Sequence, residues 1–565
     1  MIPFFPLVFP LACIVFLLAF KKYMPNTPKF LAFAGTTLSL VAVFTVQGTE
    51  SLKIFQDGVL PTPFALAIAV FIAFFATLAA LAALRETKSP SFYFNILLST
   101  AFALGAVLSN NFIMMLLFWE GLLISLYLFI LPINAKTALK AFLINAAGDV
   151  VLLVGICLFY LQNGTLDFTF FAKTNTLLTS SGLWAFILMF TGAVAKAGAF
   201  PFHNWIEPAA MQMPASFTAM LPAAIEKLLA VFLMGKMFLI FFPILPATAK
   251  VFVCALGIIT IAVAAINMLV FKDIKQLLAW NIVMQIGLLV LGMGVHIFDH
   301  LLHDTLFVLN HGIFKAALLA CAFFTAGAFK LYFGSTDIEE LKGTARHAPL
   351  MTFVLFICAL GLSGLSFVDI FFMPSALVAD TYAAMPILII IPALAAFITM
   401  FTFAKVFFAL LVKKSRAKAE GSHIYNTVVF LSFLPVLFFT FGFEFSLEPF
   451  LAPHFAGINL SWVSIFNILV LLLALALAVK VKLPSYKIKH NTYTITIEAI
   501  TVFTKWLYKI DRFMDKLIDT WPSAIVKKIS LFFSRAHRGN TPQYLLWAIL
   551  GLLIFAALVS DWGIK

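Results

Sequence analysis

The chain has 565 residues, of which 63% are hydrophobic and 11% charged, and its formal net charge is +13. Those proportions exclude a soluble globular fold, because that much apolar surface needs lipid to cover it. Backbone groups in hydrocarbon must pair with one another, and the apolar runs are about 20 residues long without strand alternation. The expectation is an all-α polytopic membrane protein.

Taken in chain order, about sixteen spans are expected. They lie near 3–20, 29–47, 63–84, 92–109, 112–132, 139–161, 184–201, 215–241, 247–270, 276–295, 304–329, 349–372, 386–412, 426–443, 462–481 and 543–560. The basic residues test this assignment. Lys21/Lys22, Arg85/Lys88, Lys136/Lys140, Lys272/Lys275, Lys342/Arg346 and Lys413/Lys414/Arg416/Lys418 fall in alternate loops. The positive-inside rule then puts both termini on the outer side of a prokaryotic inner membrane. This distribution also rules against nucleic acid as a partner, since no single basic patch forms. The five cysteines stand singly in separate apolar runs, which rules against disulfide, zinc and iron–sulfur frameworks. The N-terminus has no basic stretch before its apolar run, so residues 3–20 read as a retained first span.

Residues 484–541 break the pattern. Ile500, Phe503, Leu507, Ile510, Met514 and Leu517 recur every three or four positions, with Lys505, Lys509, Arg512, Asp515 and Lys516 between them. That is the pattern of an amphipathic lateral helix on the cytoplasmic interface, followed by a terminal anchor.

Charges inside the apolar runs carry the functional expectation. A charge at bilayer depth is costly, so it normally faces a protein interior and has a task. Glu120 lies in MMLLFWEGLLISLYLF, Asp149 in INAAGDVVLLVG and Lys196 in FTGAVAKAGAFPF. Glu226 and Lys227 lie in LPAAIEKLLAVFL, His311 and Lys315 in VLNHGIFKAALLA, and Lys405 in TMFTFAKVFFALL. One such pair locks helices together; a series spread over many helices reads as a relay. Burial disfavours a charged lysine and a nearby carboxylate favours it, so a lysine held between the two can exchange a proton when its partner moves. His311 lies four residues before Lys315, on the same helix face. Lys227, Lys236 and Lys405 read equally well as structural. Gly198, Pro201, Pro214, Pro222 and Gly312 lie beside the charges, where breaks would free backbone groups for water or ions.

These stretches together resemble the antiporter-like subunits shared by respiratory complex I, Mrp-type cation/proton antiporters and energy-converting membrane-bound hydrogenases. The carrying residues are FWEGLLISLYLF, the GD of Asp149, GAVAKAGAFPFHNWI, DIKQLLAWNIVMQIG and LNHGIFKAALL, within roughly residues 90–330. The lateral helix and final span are most like the distal, long complex I subunit. The resemblance implies two inverted five-helix repeats, near 92–241 and 247–412, with broken helices at Lys196, at His311/Lys315 and near 374. It implies that Glu120 partners Lys196 and that Lys315, with His311, is the central relay. The chain departs from the family in three places. Pro374 stands where a lysine is expected, leaving Asp369 and Asp380 as the nearest candidates. MPASFTAMLPAAIEKLL lacks the usual histidine and gains Glu226 and Lys227. Phe307 replaces a second histidine.

The expected organisation is N-terminal spans at 1–90, a first repeat at 91–245 and a second at 246–415. C-terminal spans follow at 416–483, the lateral helix at 484–541 and the anchor at 542–565. The leading expectation is a proton-translocating subunit, with sodium as the other ion, in a redox-driven complex. No cofactor motif occurs in the chain, so redox cofactors belong to partner subunits, and the lateral helix contacts other membrane-arm subunits. The rivals are an Mrp-like antiporter without redox partners and a scaffold subunit whose channel has decayed.

Overall fold

A computed structural model of the chain describes residues 5–20, 27–46, 62–87, 89–171, 180–242, 245–296, 303–363, 390–412, 422–440 and 462–480, with Ala524, Lys528 and Leu531. The chain divides into a unit Met1–Leu507 and a unit Tyr508–Lys565. In the second unit the three described positions are helical and exposed. Those three fall in the expected lateral helix; its other residues and the terminal anchor lie outside the described residues.

The first fifteen expected spans fall on helices. In order these begin with α1 (Phe5–Phe20), α2 (Thr27–Thr45), α3 (Pro63–Glu86), α4 (Pro90–Leu108), α5 (Phe112–Ile130) and α6 (Ala135–Asn163). A short α7 (Phe168–Phe171) precedes α8 (Ser180–Ala197), α9 (Ile206–Gln212) and α10 (Ala215–Met220). A π-turn, Leu221–Ile225, then leads into α11 (Glu226–Lys236) and a second π-turn, Met237–Phe241. Next come α12 (Ala247–Met268), α13 (Ile274–His296), α14 (His303–Phe333), α15 (Pro349–Ser363), α16 (Ile390–Leu411), α17 (His423–Thr440) and α18 (Trp462–Lys480). Among the described residues, nine helices are long and apolar enough to cross a membrane. The windows of α13 and α14 are buried almost throughout, whereas those of α2, α6 and α12 leave more than half their residues uncovered. Together with α10 and α11, buried at every residue, α13 and α14 form the innermost helices described.

Two backbone knots recur. At the start of α5, Phe112 N donates to Leu166 O (3.1 Å) and Phe168 N to Asn110 O (2.9 Å). At the start of α13, Ile274 N donates to Thr336 O (3.0 Å) and Ile338 N to Lys272 O (3.1 Å). Each knot ties the beginning of one helix to the segment just past the next, and each lies beyond a left-handed glycine, Gly164 (φ 70°) or Gly334 (φ 78°). Asn111 caps α5 by accepting from Met114 N at 2.8 Å, and Asp273 accepts from Lys275 N at 2.7 Å. The same main-chain solution appears twice on different side chains.

One expected break is absent. α14 runs unbroken through Gly312, against the expectation of a broken helix at His311/Lys315. A Cβ at Gly312 would stand 2.8 Å from Val231 Cγ2, so the glycine serves close packing against α11 instead. The break expected near 374 lies outside the described residues.

Candidate ion-translocation site

Lys196 is placed by a helix end. It sits one residue before the end of α8, where backbone carbonyls favour a cation. Gly198 takes φ 84°, a conformation few side chains tolerate, and the chain turns away into α9. The break expected beside Lys196 is therefore present.

Close helix packing brings Asp149 to it. A Cβ on Gly148 would lie 2.4 Å from Ala195 Cβ, and one on Gly192 would lie 2.4 Å from Leu152 Cβ. Small residues thus let α6 and α8 approach closely. The result is a buried ion pair, Lys196 Nζ to Asp149 Oδ2 at 3.5 Å. Trp119 Nε1 donates to Asp149 Oδ1 at 2.6 Å, and Lys196 Nζ lies 5.3 Å from the Trp119 ring centroid. Trp119 was not singled out from the sequence although it adjoins Glu120. Its signal was an indole, which needs a hydrogen-bond partner when buried.

The expected partnership of Glu120 with Lys196 is corrected. Lys196 pairs with Asp149, while Glu120 is exposed on α5. The exposed face of α5 also carries Ile113, Leu117 and Ile124. Helix rotation decides this, since Trp119 points inward and Glu120 comes about 100° further round the helix. Glu120 remains within electrostatic range of both Asp149 and Lys196.

Glu226 and Lys227 open α11 directly after the π-turn that holds Pro222. A π-turn adds a residue and rotates the rest of the helix relative to its start, a distortion common at functional sites. Both side chains are at most 1% exposed, and neither the Glu226 oxygens nor Lys227 Nζ has a hydrogen-bond partner among the described residues. They serve different neighbours. Glu226 is in electrostatic range of Lys196 and Asp149, and Lys227 in range of Lys315. Burial on this scale excludes snorkelling for Lys227.

Among the described residues, Lys315 is held by backbone carbonyls and not by a carboxylate. Its Nζ donates to Gly361 O at 2.5 Å and to Leu362 O at 3.3 Å, in the last turn of α15. Backbone carbonyl oxygens here take the place of an anion. The His311 side chain, Asp369, Asp380 and Pro374 lie outside the described residues.

The remaining lysines fall elsewhere. Lys236 is buried with its Nζ 5.8 Å from the Phe168 ring and 5.6 Å from the Phe232 ring, a cation–π setting. Lys405 is half-buried, 5.4 Å from the Phe401 ring. Neither joins the Asp149–Lys196–Glu226 group. Lys275, expected in a loop, is the second residue of α13 and is buried, donating to Met213 O at 2.6 Å. Glu86, which carried no expectation from the sequence, accepts from Tyr425 Oη at 2.6 Å and Ser216 N at 3.0 Å, clasping α3, α10 and α17.

Comparison with known proteins decides the family. The family described as NADH:quinone oxidoreductase/Mrp antiporter, TM, matches residues 109–402, over half of the chain. The chain belongs to this family. It is a multi-pass membrane protein with antiporter-like architecture. Chloroplastic NAD(P)H-quinone oxidoreductase subunit 5 of Fagopyrum esculentum subsp. ancestrale is 28% identical over 435 residues, covering 69% of this chain and 56% of the relative. The putative antiporter subunit mnhA2 of Staphylococcus aureus (strain JH9) is 31% identical over 308 residues, covering 50% of this chain and 37% of the relative. The chain thus spans about half the length, or less, of these curated relatives. A chain from the structure of the membrane-bound sulfane sulfur reductase, an archaeal respiratory membrane complex, superposes with a TM-score of 0.74. That match covers 98% of this chain and 99% of the other at 20% identity, a likeness of fold.

Proposed function

We propose that this chain is the ion-translocating, antiporter-like membrane subunit of a redox-driven respiratory complex, and that it carries protons. The observation behind the reading is a run of buried charges on neighbouring helices: Asp149 and Lys196, then Glu226 and Lys227, then Lys315. Asp149–Lys196 is one station and Lys315 at the end of α15 the next. Glu226 and Lys227 are consecutive residues that address one station each, so a change of charge at the first alters the setting of the second. His311 extends the relay from its place one turn before Lys315. The prevalence of lysine favours protons over sodium, which seeks carboxylates and carbonyls. Redox cofactors belong to partner subunits in this reading.

Glu120 supplies the link outward. A carboxylate on an exposed apolar helix face in a membrane needs a neighbour to satisfy it, and an adjoining subunit fits that need. A neighbour that shifts its own charge would reach Lys196 through Glu120. The two knots support the two-repeat reading: α5, α6, α8, the α10–α11 segment and α12 separate one from the other. With five crossings between them the knots would lie on opposite sides of the membrane, which supports an inverted relation of the repeats.

A second reading rests on the Staphylococcus relative, a putative antiporter subunit: the same stations would exchange a cation against protons without a redox partner. The partners isolated with the intact assembly distinguish the two. In that assembly Lys196→Ala and Lys315→Ala are each expected to abolish ion transport while the complex still assembles. Undiminished transport in both variants removes the relay assignment.

A further inference from the structure

Lys315 shares an acceptor with a neutral side chain. Leu362 O, which receives the Lys315 ammonium at 3.3 Å, also accepts from Gln285 Nε2 at 3.0 Å. Gln285 Nε2 lies 3.3 Å from Asn281 Oδ1, one turn earlier on α13. Both amides are fully buried, and Gln285 Oε1 has no hydrogen-bond partner among the described residues. A buried amide oxygen without a donor is costly and calls for an explanation. The side chain that meets Gln285 at Leu362 O is the cationic donor Lys315.

We propose that Gln285 is a positioning residue for Lys315, giving its amino group a second resting place on a polar branch of α13. In the first place the ammonium holds the carbonyls of Gly361 and Leu362. In the second it turns onto Gln285 Oε1, with Asn281 next along the same helix. The exchange leaves nothing unpaired at Leu362, because Gln285 Nε2 keeps that carbonyl occupied while the lysine is away. Lys315 thereby alternates between two backbone carbonyls of α15 and a polar row of α13. This inference rests on the reading of Lys315 as a relay. The ionisable groups on elements packed against the Lys315 helix are Glu226, Lys227 and Lys236 on α11, Lys275 and His296 on α13, Cys358 on α15, His423 and Tyr425 on α17, and Arg85 and Glu86 on α3. Of these, Lys227 is the one in electrostatic range of Lys315.

The test uses the intact assembly in vesicles, scoring both transport and assembly. Gln285→Met keeps the length of the side chain and removes both polar atoms; transport is expected to fall roughly tenfold while the complex assembles. Gln285→Glu sets a carboxylate beside Lys315 and favours the charged lysine, so the alkaline limb of transport moves to higher pH. A glutamine that merely supports the fold would lower the yield in both variants and leave the pH profile unmoved in the fraction that assembles. That result overturns the proposal, as does wild-type transport with an unmoved profile. Lys315→Ala, measured alongside, separates the failures. If it transports normally, the relay reading falls and the proposal with it; if it is inactive while both Gln285 variants behave as wild type, the positioning proposal alone falls.

Discussion

At the scale of single residues, the pairing of Lys196 with Asp149 assigns different weights to two carboxylates. Asp149→Asn removes the charge that pairs the buried lysine, and ion transport is expected to fall at least roughly tenfold, about 1.4 kcal/mol in the rate-limiting step. Glu120→Gln acts from the exposed side of α5 and should cost less. An equal or larger loss from Glu120→Gln, read in the same vesicle assay, would reverse the assignment. Trp119→Phe keeps the ring near Lys196 but takes the donor from Asp149, so it should fall between the two. The lysines were legible in the sequence because a charge in an apolar run announces itself. The choice of carboxylate was not, since Glu120 and Asp149 both interrupt such runs. Rotation decides between them: Glu120 shares its face with Ile113, Leu117 and Ile124, whereas Asp149 comes directly after Gly148, which faces Ala195. Gln285 carries no charge, so nothing in the apolar pattern of α13 singled it out.

At the scale of elements, hydropathy located the spans but left their distortions hidden. An extra residue in a helix leaves no mark in composition, so the π-turn at Leu221–Ile225 could be seen only as Pro222 near two charges. Gly312 shows the opposite error, a glycine read as a break that proves to be a packing contact. The glycine contact between α6 and α8 offers a clean test. Gly148→Ala sets two methyl groups against each other and should destabilise the chain by about 1–3 kcal/mol, widening the Asp149–Lys196 pair and lowering transport. Ala195→Gly in the same chain removes the opposing methyl, so thermal unfolding and transport should both recover. No recovery in the double variant would mean that the two helices are not held apart by that contact.

At the scale of the whole molecule, the two knots are the observation on which the proposed two-repeat plan rests. The sequence hid them because they are made by main-chain groups, with Asn110 and Leu166 in one and Lys272 and Thr336 in the other. Both also carry a side-chain bond across the knot, in the first from Asn110 Nδ2 to Asp167 Oδ1 at 3.2 Å, but the capping residues differ. Asn111 serves as a helix cap, whereas Asp273 caps α13 and also accepts from Thr336 Oγ1 across the knot at 2.6 Å. Asn111→Ala is expected to cost about 0.5–2 kcal/mol, the usual value of a cap, and Asp273→Ala more, with denaturation in detergent as the measurement. Equal losses would show that the bond across the second knot contributes nothing. Knots built from backbone atoms have a longer consequence. Each half can be rewritten by mutation, residue by residue, without unfastening the joints that hold its helices in place. Descent from a doubled ancestral segment would then leave the joinery alike and the cargo-handling groups free to diverge, one lysine resting on an acid and the other, among the described residues, on backbone carbonyls.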